Sequence, residues 1–131
     1  MLTTIPGSSD WLECGFVTYS VEAKQQMLGV RPETLEHHGA VSEPTAREMA
    51  LGALIHSTAD VAISVTGIAG PGGGEILQPV GTVWFGWALR MPDDVIFESA
   101  VHEFRGTRAE VRESAVRTAL IGIQSILSKS I

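Results

Sequence analysis

Val61-Ala-Ile-Ser-Val-Thr-Gly-Ile-Ala-Gly-Pro-Gly-Gly-Gly-Glu75 and, after a short link, Pro79-Val-Gly-Thr-Val-Trp-Phe-Gly-Trp-Ala-Leu89 are the segments that decide the fold. Both contain an apolar, β-branched run, which predicts two buried strands. Five of the eight residues from Gly67 to Gly74, here called the glycine loop, are glycine. Such a loop either turns backbone N–H groups towards a phosphate, carboxylate or oxyanion, or serves only as a flexible connection. Its place after a buried strand favours binding, because ligands of open α/β sheets lie at the carboxyl ends of strands.

The bulk composition limits the class of protein and its partners. A chain of 131 residues with 44% hydrophobic and 18% charged residues fits one globular domain. The net charge is −6 and the nine basic residues are scattered, which argues against a nucleic-acid-binding surface. No apolar run approaches the roughly 20 residues of a membrane span, so we expect no membrane partner.

The number of cysteines indicates the cellular compartment, and the spacing of the histidines argues against a metal site. Cys14 is the single cysteine and cannot form a disulfide within the chain, so a reducing compartment, by default the cytoplasm, is expected. The four histidines do not stand at metal-ligand spacings with carboxylates or thiols, and we therefore predict no metal.

Three helices are predicted before the first of these strands. The segment Gly15–Ser20 is strand-like and leads into a short helix from Glu22 to Leu28, which Gly29 ends. A second short helix is predicted within residues 31–39. A longer one begins after Ser42, whose hydroxyl can accept from the first free N–H groups.

The strands are predicted to form a mixed sheet. The segment Thr82–Arg90 is apolar almost throughout, as expected for a central strand covered on both faces. A tight turn at residues 91–94 leads into Val95–Phe104, which should pair antiparallel with it. The strand at residues 60–66 follows the helix that begins after Ser42, and we place it parallel to one of its neighbours.

The last helix is predicted to begin at a capping box formed by Thr107 and Glu110. Arg108 and Arg112 stand four residues apart, on one side of its first turn. They could bind an anion together, or they form a solvated basic face. The predicted apolar face comprises Val111, Ala115, Ala119, Leu120, Ile123, Ile126 and Leu127.

Four segments resemble one known family, and they occur in the family's order. They are Gly15-Phe-Val-Thr-Tyr-Ser-Val-Glu-Ala-Lys24, His38-Gly-Ala-Val-Ser-Glu-Pro44, Val65-Thr-Gly-Ile-Ala-Gly-Pro-Gly-Gly73 and Pro79-Val-Gly-Thr-Val-Trp84. Together they resemble the C-terminal domain of the CinA family, which includes stand-alone nicotinamide-nucleotide amidohydrolases. With the predicted elements, this implies an α/β fold: a three-layer α/β/α domain with a mixed, mostly parallel sheet.

The resemblance implies a reaction. It is the hydrolysis of the carboxamide of nicotinamide mononucleotide to nicotinic acid mononucleotide and ammonia, in pyridine nucleotide salvage, without metal or cofactor. Family members carry the nucleophilic serine in a Glu-Ser-Cys-Thr-Gly-Gly motif, which these 131 residues do not contain. In relatives the motif lies shortly upstream of the segment that Leu2–Ser9 resembles. We therefore expect residues 1–131 to form a single CinA C-terminal-like domain that lacks the family's first helix, first strand and nucleophile.

The same resemblance assigns the candidate site residues. Lys24 and Tyr19 would be catalytic, with the lysine as a base once burial or a positive neighbour lowers its pKa. Backbone N–H groups of the loop could stabilise the oxyanion or hold the ribosyl phosphate, and Arg108 would bind the 5′-phosphate. The candidate substrate-binding residues are Thr66, Gly67, Gly70, Gly72, Gly73 and Arg108.

Two functions remain open on the sequence. The first is a nicotinamide-nucleotide amidohydrolase-like enzyme acting on a small nucleotide substrate. The alternative is a catalytically inactive remnant that binds a nucleotide phosphate or a partner protein. Loss of a helix and a strand would leave a sheet edge and apolar surface uncovered, so we also expect a homo-oligomer.

Overall fold

Seven helices and strands follow one another in the computed structural model, which describes residues 2–74 and 78–130. In chain order they are α1 (Val21–Leu28), α2 (Pro32–His38), α3 (Glu43–Ile55), β1 (Val61–Gly67), β2 (Thr82–Arg90), β3 (Val95–Glu103) and α4 (Arg108–Leu127). Short 3-10 turns lie at Ser8–Asp10 and Ser128–Ser130. The predicted α/β class is confirmed.

The strands of the described part of the chain form one sheet in the order β1-β2-β3, and both pairs are antiparallel. The prediction of a mostly parallel sheet, with β1 parallel to a neighbour, is therefore wrong for these residues. Consecutive strands here join through a loop and a four-residue turn, whereas parallel neighbours need a crossover connection. The crossover helix α3 is present, but the segment that should precede it as a strand is not paired.

That segment, Gly15–Ser20, was predicted as a strand and is not one. Residues 12–19 have no regular secondary structure. Phe16 packs inward, whereas Val17 and Tyr19 are 85% and 86% exposed. The residues alternate as a strand requires, but alternation alone does not supply a neighbour to pair with.

The helix boundaries agree with the predicted capping residues. Gly29 ends α1 with a φ of +70°, which favours glycine. The Ser42 hydroxyl accepts from the Thr45 N–H at the start of α3. Thr107 and Glu110 form the predicted capping box of α4. These local signals fixed the helices because each satisfies backbone groups within a few residues.

The sheet is covered on both faces, so the three-layer arrangement is confirmed. Phe85 and Trp87 of β2 point towards α4, on the side called here the α4 face. Ala88 points towards α3, on the α3 face, where α1 and α2 pack against α3. Leu120 and Leu127, predicted for the apolar face of α4, are 40% and 41% exposed and are not core residues.

Candidate functional site

The glycine loop needs glycine at three of its predicted site positions for steric reasons. Gly70 and Gly73 have φ values of +84° and +93°, which other residues rarely adopt. A Cβ atom on Gly67 would lie 2.9 Å from the carbonyl oxygen of Thr82. Gly72 has neither constraint, because no atom lies within 4 Å of the position its Cβ would take. Part of the glycine content thus follows from the turn itself.

Arg108 reaches the glycine loop across 38 residues of sequence. Its Nη1 donates a hydrogen bond to the carbonyl oxygen of Gly70 at 2.9 Å. Arg108 is the first residue of α4, so this bond holds the loop against the amino end of that helix. A guanidinium carries five N–H donors, and those not used by Gly70 can serve an anion. The structure therefore brings two of the predicted substrate-binding residues together.

Thr66 lies at the end of β1, but its side chain does not point into the loop. The residue is buried, and its hydroxyl donates to the carbonyl oxygen of Ala40 at 2.7 Å. On the other side of the loop, the Gln78 amide donates to the carbonyl oxygen of Val41. The connection between α2 and α3 is thus fastened to both ends of the β1–β2 loop.

Lys24 is a buried lysine whose ammonium is held by backbone carbonyls. Its Nζ donates to the carbonyl oxygen of Thr18 at 2.6 Å and lies 3.5 Å from that of Tyr19. Burial lowers the pKa of Lys24 because the charged form loses hydration. Tyr19 contributes its main chain to this contact, while its side chain is exposed.

The candidate residues form two groups. Contacts among the described residues join Lys24 to Tyr19 and Arg108 to Gly70, and no such contact joins one pair to the other. Lys24 belongs to the helices packed on the α3 face, whereas Arg108 begins the helix on the opposite face.

Two neighbouring cavities lie between β1 and α4. The larger, of about 590 Å³, is called here the β1–α4 groove; it is lined mostly by apolar side chains and by Arg112. The smaller, of about 110 Å³, shares Arg112 and is also lined by Gly67 and Ala69 of the glycine loop. Neither is lined by Lys24, Thr66 or Arg108.

Arg112 was not among the candidate site residues taken from the resemblance, although the sequence analysis had paired it with Arg108 as one of two alternatives. Its spacing from Arg108 was a usable signal, because residues four apart share one side of a helix. Which part of the molecule that side faces depends on how α4 packs on the sheet. In the described residues, no group of three or more His, Cys, Asp or Glu side chains could hold a metal ion. Likewise, no helix in residues 2–74 and 78–130 is long and apolar enough to cross a membrane.

An antiparallel sheet between two helical layers, with a glycine-rich loop fastened to the start of the last helix, defines the structural class of this domain. The family model for the CinA C-terminal domain matches residues 1–127. The chain therefore belongs to the CinA C-terminal domain family.

Named relatives and solved structures agree with that assignment. The chain is 53% identical over 120 residues to the nicotinamide-nucleotide amidohydrolase PncC of Shigella flexneri, covering 92% of this chain and 71% of the relative. It is 48% identical over 130 residues to a CinA-like protein of Chlorobaculum tepidum, covering 95% of this chain and 31% of that protein. The competence/damage inducible protein CihA of Agrobacterium tumefaciens superposes with a TM-score of 0.87 at 46% identity, over 95% of this chain and 74% of that one.

Proposed function

We propose that this domain serves in the hydrolysis of the carboxamide of nicotinamide mononucleotide. In that reaction water cleaves the C–N bond of the amide, and the products are nicotinic acid mononucleotide and ammonia. The observation that carries the proposal is the 53% identity, over nine tenths of the chain, to a relative named as a nicotinamide-nucleotide amidohydrolase.

Lys24 is assigned the proton transfer. A base at this step must be neutral to accept the proton of the attacking hydroxyl, and burial makes Lys24 easier to deprotonate than an exposed lysine. The carbonyl oxygens of Thr18 and Tyr19 fix the position of its Nζ. Tyr19 is assigned to the same centre through its main chain and, on substrate binding, through its exposed phenol.

Arg108 and the glycine loop are assigned the phosphate of the nucleotide. The planar guanidinium pairs well with phosphate oxygens, and its bond to Gly70 keeps it beside the loop. Backbone N–H groups between Thr66 and Gly73 would add donors to the phosphate or to the developing oxyanion.

No residue of this sequence is assigned as the nucleophile. The 131-residue sequence has no Glu-Ser-Cys-Thr-Gly-Gly motif, so Lys24 has no matching serine within it. We predict that this chain alone releases no ammonia from nicotinamide mononucleotide. A chain extended at its amino end by a segment that carries this motif should release it. The measurement is an ammonia assay on both proteins, and turnover by the unextended chain would contradict the assignment.

The alternative function is nucleotide binding without chemistry. A calorimetric titration with nicotinamide mononucleotide measures binding independently of catalysis. Arg108→Ala should raise the dissociation constant roughly tenfold or more, as expected for a lost charged hydrogen bond. Arg117→Ala, which removes an exposed arginine farther along α4, is the matched control and should change little.

A second ligand distinguishes phosphate binding from loop support. Nicotinamide riboside lacks the phosphate, so Arg108→Ala should leave its affinity unchanged if Arg108 binds that group. Equal losses for both ligands would mean that Arg108 acts only by holding Gly70. The predicted homo-oligomer is a separate proposal.

A further inference from the structure

The connection between α2 and α3, residues 39–42, is fastened to the start of α3. The hydroxyl groups of Ser42 and Thr45 both donate to the carbonyl oxygen of Gly39, at 3.0 and 2.7 Å. Both of these polar residues are buried, so water competes little for their hydrogen bonds. The first turn of α3 therefore fixes the position of the connection.

Two side chains join the two sides of the glycine loop to this connection. Thr66, before the loop, donates from its hydroxyl to the carbonyl oxygen of Ala40 at 2.7 Å. Gln78, after the loop, donates from its amide to the carbonyl oxygen of Val41. Because Ala40 and Val41 are neighbours in the chain, the two bonds fix the two sides of the loop relative to each other. Gln78 was not among the candidate site residues.

The side of the loop that carries Gln78 also contacts Gly70. Val80 lies two residues after Gln78, and its Cγ1 occupies the space that a Cβ on Gly70 would need. The carbonyl oxygen of Gly70 accepts the hydrogen bond of Arg108 at 2.9 Å. A continuous series of contacts therefore leads from Gln78 to Arg108.

We propose that Gln78 is a positioning residue for Arg108. Its bond to Val41 holds one side of the glycine loop in place, and the loop holds the Arg108 guanidinium through the carbonyl of Gly70. A guanidinium pairs with two phosphate oxygens only in a fixed orientation, so its support should affect affinity. The effect on affinity rests on the proposed function, whereas the support of the loop by Gln78 does not.

Hydrogen exchange on the full chain without ligand tests the support of the loop. The amides of Ile68 and Gly81 form hydrogen bonds of 2.9 and 2.6 Å across the base of the loop. In Gln78→Leu both amides should exchange several-fold faster, because the loop opens locally more often. The Arg90 amide bonds at the opposite end of β1 and β2 and should keep its rate. Unchanged rates at Ile68 and Gly81, or an equal rise at Arg90, would overturn the proposal.

A double-mutant cycle, measured by calorimetry with nicotinamide mononucleotide, tests the action through Arg108. Gln78→Leu should raise the dissociation constant about threefold to tenfold, the range expected for one lost hydrogen bond. In the Arg108→Ala background the same substitution should change the constant less than about twofold, because the group that needs positioning is gone. Gln124→Leu, at an exposed glutamine near the far end of α4, is the matched control and should leave the constant unchanged.

Failure of this inference is distinguishable from failure of the proposed function. If the parent chain does not bind the nucleotide, the proposed function is contradicted, and the exchange rates alone decide whether Gln78 supports the loop. If the parent binds, an unchanged constant in Gln78→Leu would overturn the positioning role. The same loss in both backgrounds would also overturn it, since Gln78 would then act independently of Arg108. Circular dichroism checks folding, and Gln78→Ala, which removes the same donor with a smaller side chain, should give the same results.

Discussion

The two faces of the sheet are packed differently, with small residues on the α3 face and aromatic residues on the α4 face. On the α3 face, small residues let the helix backbone approach closely: a Cβ on Gly86 would lie 2.7 Å from the carbonyl oxygen of Ala46. Polar side chains are also buried there, and the Ser64 hydroxyl donates to that same Ala46 carbonyl at 2.6 Å. Contact on this face is made by main chain and hydroxyl groups as much as by apolar volume.

On the α4 face, large aromatic residues fill the space between helix and sheet. Phe85 is fully buried, and its ring stacks on that of Trp87 at 5.7 Å. The Trp87 indole donates to the carbonyl oxygen of Ala119 at 2.9 Å, and Gly122 leaves room for its ring. Phe104, which follows β3, also packs edge-on against Phe85. The groove lies to one side of this aromatic cluster, between β1 and α4.

The two faces should therefore be sensitive to different kinds of substitution. A close helix tolerates no added atom, whereas an aromatic layer tolerates no lost ring. Substitutions on the two faces should therefore lower the free energy of unfolding by amounts that can be ranked.

The largest effect is expected for Phe85→Ala on the α4 face. Removal of a fully buried ring should lower the free energy of unfolding by about 3–5 kcal/mol. Phe97→Ala removes the same group on the α3 face, where the ring is only partly buried and lies beneath Arg47, and should cost clearly less. Urea unfolding of both variants measures the ratio. Equal losses of unfolding free energy in the two variants would show that Phe85 on the α4 face stabilises the fold no more than Phe97 does.

A smaller effect is expected for Gly86→Ala on the α3 face. The added methyl group would meet the Ala46 carbonyl, a backbone atom that cannot move aside alone, and should cost about 1–3 kcal/mol. Gly72→Ala, for which the structure leaves open space, should stay within about 0.5 kcal/mol of the parent. The same urea titration checks both, and a neutral Gly86→Ala would show that α3 is not closely packed.

The smallest effect is the pH dependence contributed by Lys24. Its pKa in the folded state lies below the ordinary value of 10.5, so the unfolded chain binds more protons between those two pKa values. Stability should therefore rise as the pH increases through that interval. In Lys24→Met this rise should be absent, whereas in Lys129→Met, which removes a half-exposed lysine, it should persist. The measurement is the urea unfolding midpoint of both variants and the parent at a series of alkaline pH values.

The sequence predicted the helices and the central strand well. The ends of α1, α3 and α4 follow from Gly29, Ser42 and Thr107, and β2 was predicted at the residues observed. The antiparallel pairing of β2 with β3 was predicted correctly, whereas the predicted parallel pairing of β1 is not observed. An apolar run favours an extended conformation but does not fix its partner. The residues Gly15–Ser20 show the same limit: they were predicted as a strand and form none.

For the candidate site, the sequence selected residues through resemblance, and the structure decided their neighbours. The assignment of site roles stays a prediction. The Arg108 contact with Gly70 joins positions that no local pattern relates. Lys24 is buried, and its ammonium bonds to the Thr18 carbonyl of a segment that forms no regular secondary structure. The place of Arg112 beside the groove likewise follows from how α4 lies on the sheet.

By itself, the sequence determined where this chain becomes helical, where it turns, and that β2 is buried on both sides. These properties depend on capping groups, glycine φ angles and apolar runs within a few residues of each other. Tertiary structure alone decided the antiparallel pairing of β1 with β2 and the unequal packing of the two faces. Those features depend on contacts between distant residues, whose geometry is fixed only when the whole chain packs.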